Sequence, residues 1–168
     1  MRLFFPIIAT IVLTSVSGMH PEILVSETLL RDVEYILARV RVMQIETSIA
    51  DAVAHNLGGN LSRETINQAL AILRERAFEK AVARLTRLIR IAHERAINQN
   101  ASDGELDAIL EELETTWNKE LRNFESNHFA SFQYQPGYQH LYNQYMAASN
   151  ALYARTHSVA RLRNAYMN

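Results

Sequence analysis

The sequence predicts an all-α protein: a single-domain bundle of four to five helices, with two long helices and no disulfides. Along most of the 168-residue chain, apolar residues recur at intervals of three and four, which is the helical period. No segment shows the alternation typical of a strand. The five glycines and three prolines mostly stand between the periodic segments, as helix-ending residues do. Because the chain has no cysteine, it can have neither a disulfide framework nor a thiol nucleophile.

The first 18 residues have the pattern of a secretory signal peptide. Met1-Arg2 is a basic start, an apolar run follows from Leu3 to Val16, and Ser17-Gly18 supplies small residues for cleavage. The run is shorter than the roughly 20 residues that a membrane span needs. We therefore expect a secreted protein, with residues 1–18 as the signal and 19–168 as the helical domain.

Two helices are predicted in the first half of this domain. The first runs from Pro21, carries Val33 and Val40 on one face, and ends at Gly58-Gly59, because glycine adopts the left-handed cap conformation without strain. Ser62 is a good N-cap for the second, with Leu61 and Ile66 as a hydrophobic staple. This second helix extends to about residue 98 and has two apolar lines, so we expect it at the centre of the bundle.

The second half contains an acidic helix and a closing helix. Ser102 and Glu105 fit a capping box, and the helix that they begin ends near Phe124. The residues 135–137, Gln-Pro-Gly, predict a turn, after which a last helix starts at about Tyr138.

Charge is nearly balanced in total but segregated along the chain. The formal net charge is −1, which argues against a nucleic-acid partner for the molecule as a whole. Residues 62–99 have eight basic side chains against four acidic ones, whereas residues 103–125 have two against eight. A line of four basic residues shares one helix face, here called the basic track: Arg76, Lys80, Arg84 and Arg87. Either these residues engage an acidic or glycosylated partner, or they pair with Glu75, Glu79 or the acidic helix.

Aromatic residues are concentrated late in the chain, where Tyr138, Tyr142 and Tyr145 share one helix side. Most of these rings are expected in the core. An exposed remainder would suit contact with a protein or a membrane, because tyrosine is amphipathic.

No residue pattern predicts catalysis. The six histidines have no metal-ligand spacing, and there is no G-x-S-x-G motif. We therefore expect a protein that is not an enzyme and has no metal or cofactor. Asn60 and Asn100 each begin an N-x-S sequence in a predicted loop, so both are glycosylation candidates in an exported protein.

The chain resembles the egg-lysin family of marine gastropod sperm proteins. The resemblance rests on the layout: a short signal followed by His20, no cysteine, and a glycine-containing break before Leu61-Ser62. It extends to an arginine-rich second helix with Ala69-Leu70, a third helix that opens after an acidic loop, and the pairs Pro136-x-Tyr138 and Tyr145-Met146.

The resemblance implies a fertilisation protein that is stored in the acrosomal vesicle and released. Such a protein binds egg vitelline envelope glycoprotein and opens the coat without cleaving it. The basic track carries over as the family's partner-binding surface, flanked by Arg74 and Arg90, and the three tyrosines carry over as its hydrophobic patch. A homodimer is compatible with this role. Members of this family are typically strongly basic, and this chain is not.

Two other functions are compatible with the sequence. A membrane-active gamete fusion protein would use the tyrosine patch to contact lipid. A secreted carrier of lipid or another hydrophobic ligand would need only an amphipathic bundle that can expose its interior.

Overall fold

Five α-helices and one 3₁₀ turn make up the regular structure of residues 25–42, 49–98 and 100–167, which are the residues that the computed structural model describes. The helices are α1 (Glu27–Val42), α2 (Ile49–Asn56), α3 (Arg63–Ile97), α4 (Asp103–His128) and α5 (Tyr138–Tyr166). The predicted all-α bundle is confirmed. Helix α3, which was predicted to be long, has 35 residues, and α4 and α5 are long as well, with 26 and 29. The predicted signal peptide and His20 lie outside the described residues.

The prediction of one first helix up to Gly58-Gly59 is wrong, because two helices occupy this part of the chain. Val33 of α1 and Val53 of α2 are both fully buried in the same apolar cluster. In a continuous helix these residues would lie about 30 Å apart at 1.5 Å per residue. Residues 27–56 therefore do not form one continuous helix, and α1 and α2 pack against each other and against α3.

Helix α3 is the central element, as its two apolar lines predicted, and it packs against all four other helices. Its N-terminal half joins α1 and α2 around Ile66 and Ala69. Its C-terminal half joins α4 and α5 around Leu85 and Ile89. Two apolar clusters therefore lie along one helix.

Most helix ends lie where the local sequence predicts them. The Ser62 hydroxyl accepts a hydrogen bond from the backbone N–H of Thr65, and Ser102 and Glu105 form both bonds of a capping box. Gly58 and Gly59 have φ of 82° and 74°, the left-handed region in which glycine is favoured. Helix α4 continues past the predicted end to His128, and Phe129 follows it with a left-handed φ of 48°.

The connection between α4 and α5 contains a short 3₁₀ turn, Phe132–Tyr134, which the sequence did not indicate. Phe132 is fully buried and packs between Phe78 and Phe124, with ring centroids 4.8 and 5.2 Å away. The turn therefore fastens this connection to the core, and Gly137, with φ of 90°, then starts α5.

Within the described part of the chain, no helix combines the length and apolar character needed to cross a membrane.

Candidate binding site

The basic track lies on the side of α3 that faces α1 and the end of α4. Three of its residues, Arg76, Lys80 and Arg84, line a cleft of about 370 Å³ between these helices. Glu34 and Leu37 of α1 form one wall, and the end of α4 closes the cleft. Because residues 76, 80 and 84 are four apart, successive turns of α3 present their side chains to the same space. We call this space the basic cleft.

Arg76 is held by a carboxylate on α1. Its two terminal nitrogens, Nη1 and Nη2, donate to Oε2 and Oε1 of Glu27 at 3.0 and 2.6 Å. This two-bond pairing lowers the pKa of Glu27 and raises that of Arg76, because each charged form stabilises the other. Both side chains remain largely exposed, at 46% and 65%, so the pair orients Arg76 more than it stabilises the fold.

Arg84 is held in the same manner from the other side. Its Nε and Nη2 donate to the two carboxylate oxygens of Glu120 on α4 at 2.9 and 2.7 Å. The hydrogen bonds that Arg84 donates to this carboxylate raise the pKa of Arg84. The Glu120 side chain is only 15% exposed, so this pair is better sheltered from water than Arg76 with Glu27. The predicted pairing of the track with the acidic helix is therefore confirmed at Arg84.

Lys80 lies one turn from each of these arginines and makes no ion pair with any described residue. The two carboxylates largely compensate their arginines, so the unpaired charges of the cleft lining, among the described residues, are the Lys80 ammonium and the Glu34 carboxylate of the facing wall. Each guanidinium has five N–H donors, of which its carboxylate uses two. Donors therefore remain at both arginines for a ligand that reaches Lys80.

The other predicted members of the basic surface have different surroundings. Arg87 is exposed beyond the cleft, and Arg90 pairs with Glu94 one turn along α3 at 3.5 Å. Arg74 does not flank the basic track. It lies two positions before Arg76, which corresponds to a rotation of about 200° around the helix, so it points away from the track. It lines a separate groove on the other side of α3.

The three predicted tyrosines are brought together, but around a core residue. Tyr138, Tyr142 and Tyr145 surround Trp117, which is 4% exposed. Tyr145 stacks on the indole, with ring centroids 4.2 Å apart and planes at 16°. Burial raises the pKa of both Tyr138 and Tyr145. These rings are half-buried packing residues, whereas Phe129, Tyr134 and Tyr153 are the exposed aromatic residues nearby in sequence.

Both glycosylation candidates are exposed in loops between helices. Asn60 precedes α3, and Asn100 precedes α4. The serine of each N-x-S sequence serves as the N-cap of the helix that follows.

Glu27 is a partner of Arg76 that the sequence did not indicate. It is 49 residues from Arg76 in the chain, and no local pattern links two residues at that distance. Within the described residues, no group of histidine and acidic side chains is arranged to hold a metal ion.

Comparison of the chain with protein-family models, curated proteins and solved structures finds no match.

Proposed function

We propose that this protein is a secreted binding protein of fertilisation that uses the basic cleft to engage an anionic egg-coat glycoprotein and opens the coat without cleaving it. The observation that carries the proposal is the Lys80 ammonium between two oriented arginines. The resemblance to the egg-lysins supplies the class of partner. A stoichiometric mode of action follows, in which one molecule occupies one site on the coat.

Three basic side chains of the cleft can bond an anionic group, and Glu34, which also lines it, is exposed, so water screens its repulsion. A carboxylate or sulfate ester on a glycan would accept a charge-assisted hydrogen bond from Lys80 and further bonds from Arg76 or Arg84. Glu27 and Glu120 hold the two guanidinium groups in place before binding, so little side-chain entropy is lost when the ligand arrives. The cleft is open to water, so this attraction weakens as salt concentration rises.

The two lysines of the chain provide a matched test. Lys80 lines the cleft, and Lys119 is exposed on α4 outside its lining. Removing one charge-assisted hydrogen bond costs about 1.5–3 kcal/mol, so Lys80→Gln is expected to weaken binding to isolated egg coats about tenfold or more. Lys119→Gln changes the net charge equally and is expected to bind as wild type does.

The coat assay also separates binding from catalysis. Isolated coats should loosen in proportion to the protein added, with no turnover. Loosening by catalytic amounts of protein, no effect at any dose, or equal losses in the two lysine variants would each contradict the proposal.

A further inference from the structure

The lining of the basic cleft contains an unpaired negative charge as well as a positive one. Glu34 is exposed on the α1 wall and makes no ion pair with any described residue. Lys80 is exposed on the α3 wall and is likewise unpaired among the described residues. Although both side chains line the same space, no ion pair joins them. The cleft therefore presents opposite charges, on two different helices, to a ligand that enters it.

The two arginines of the cleft are already used within the fold. Arg76 and Arg84 each donate two hydrogen bonds to a carboxylate of a neighbouring helix. An anion that approaches either guanidinium must share it with that carboxylate, whereas a group that approaches Lys80 or Glu34 has no such competitor. Selection of a ligand by its charge therefore depends mainly on Lys80 and Glu34.

These two charges favour a ligand that carries both signs. An anion at Lys80 gains a charge-assisted hydrogen bond but is repelled by the carboxylate of Glu34. A cation at Glu34 is attracted there and repelled by the ammonium of Lys80. Water screens each repulsion, but it does not convert the repulsion into attraction. A ligand with an anionic and a cationic group is attracted at both walls.

The apolar part of the lining indicates what joins the two charged groups of the ligand. Leu73 and Ala77 of α3 are half-buried and Ala38 of α1 is exposed, so all three offer apolar surface to a ligand. The cleft volume of about 370 Å³ is at the lower end of the range for small-molecule sites. A short aliphatic spacer between the two charges fits this lining.

We propose that the basic cleft recognises a zwitterionic element of its partner, in which an anionic group bound by Lys80 lies beside a cationic group bound by Glu34. The identity of the partner as an egg-coat glycoprotein rests on the proposed function. In a glycoprotein the cationic group is a lysine or arginine side chain of the polypeptide, since these side chains stay protonated at neutral pH. Glu34 is then the residue that distinguishes such an element from a purely anionic one.

Titration of the full chain with three small probes, followed by NMR chemical shifts, tests this charge preference. The probes share a six-carbon chain: ε-aminocaproate has both charges, caproate lacks the ammonium group, and hexylamine lacks the carboxylate. We expect ε-aminocaproate to bind about fivefold more tightly than either of the others, which is the upper end for an exposed ion pair.

Variants of the two charged residues locate the effect in the cleft. Glu34→Gln should remove the advantage of ε-aminocaproate over caproate, and Lys80→Gln should remove its advantage over hexylamine. Asp32→Asn is the matched control, because Asp32 is exposed on α1 outside the cleft lining and its loss changes the net charge equally. Since all three side chains are exposed, circular dichroism and the thermal midpoint should stay near wild type. The proposal is overturned if ε-aminocaproate binds no more tightly than both other probes, or if Glu34→Gln and Asp32→Asn behave alike.

Binding to isolated egg coats separates this proposal from the proposed function. Glu34→Gln is expected to bind coats about fivefold more weakly than wild type, and Asp32→Asn is expected to bind as wild type does. A purely anionic coat site would instead bind Glu34→Gln more tightly, because a repulsion is removed. That result, together with weaker binding by Lys80→Gln, would overturn the zwitterionic element and leave the proposed function intact. Coat binding that no cleft variant changes would count against the proposed function, and the probe titration would still decide the charge preference of the cleft.

Discussion

At the residue scale, burial determines which side chains can contact a partner. Arg84 is 58% exposed although its carboxylate partner Glu120 is sheltered, so this arginine is fixed in position and still accessible. Tyr145 is the opposite case, because its ring is stacked on Trp117 and its apolar surface is used within the fold. The basic side chains of α3 are therefore more accessible to a partner than the tyrosine rings that surround Trp117.

The environment of Tyr145 predicts a loss of stability in alkali. Burial, with Glu114 as the next cause, raises the pKa of Tyr145 above the usual value of about 10. The folded state favours the neutral phenol. The contribution of this phenol to the free energy of unfolding is therefore complete below pH about 10 and is lost as pH rises through the folded pKa. Tyr145→Phe keeps the stacked ring, so we expect wild-type stability at neutral pH and a smaller alkaline loss.

Urea unfolding midpoints measured across this pH range check the prediction. Tyr134→Phe is the matched control, because Tyr134 is 81% exposed and should leave the alkaline loss unchanged. The prediction would be wrong if the two variants lost stability equally between neutral and alkaline pH.

At the element scale, the helix ends are determined by short-range hydrogen bonds. The Ser102 hydroxyl accepts from the backbone N–H of Glu105, and the Glu105 carboxylate accepts from the backbone N–H of Ser102 at 2.9 Å. These bonds lower the pKa of Glu105, since they stabilise its charged form. Such contacts need only neighbouring residues, which is why the start of α4 is predictable.

The capping box predicts a loss of stability that can be separated from the loss of the N-x-S sequence. Ser102 belongs to both features, whereas Asn100 belongs only to the N-x-S sequence. Ser102→Ala removes a cap bond and should lower the free energy of unfolding by about 1 kcal/mol. Asn100→Gln disrupts the same N-x-S sequence and leaves the Ser102 side chain in place, so its unfolding free energy should stay close to wild type. Chemical denaturation of the two unglycosylated variants makes the comparison. Equal destabilisation would mean that the cap is not the source of the effect.

At the scale of the whole molecule, α3 connects two apolar clusters that do not merge. One is shared with α1 and α2, and the other with α4 and α5. Arg155 of α5 adds a fixed contact at the far end of α3, donating to the Ala96 carbonyl at 2.6 Å. Because α3 takes part in both clusters, we expect the protein to unfold as one cooperative unit.

The single tryptophan makes this cooperativity measurable. Trp117 lies in the cluster with α4 and α5, whereas Val53 is fully buried in the other cluster. Val53→Ala should lower the free energy of unfolding by about 2 kcal/mol, because it removes buried apolar surface and leaves a cavity. If the molecule unfolds cooperatively, the unfolding free energies measured by Trp117 fluorescence and by circular dichroism should both fall by this amount. His55→Ala, at an exposed position of the same helix, should shift neither. A fluorescence transition that does not move with Val53→Ala would mean that the clusters unfold separately.

The sequence by itself determined the helical class, the central role of α3 and most helix ends. These properties follow from the 3.6-residue period and from capping contacts over three or four residues, as at Ser62 and Ser102. The sequence also identified Arg76, Lys80 and Arg84 as neighbours on one face, because residues four apart on a helix must be.

Only the tertiary structure decided what surrounds that face. It packed α1 against α2, and it brought Glu27 and Glu120 to Arg76 and Arg84 across 49 and 36 residues. It also turned Arg74 toward a different groove. The physical reason is that ion pairing and burial depend on which helices pack together, and packing joins residues whose separation in the chain carries no periodic signal.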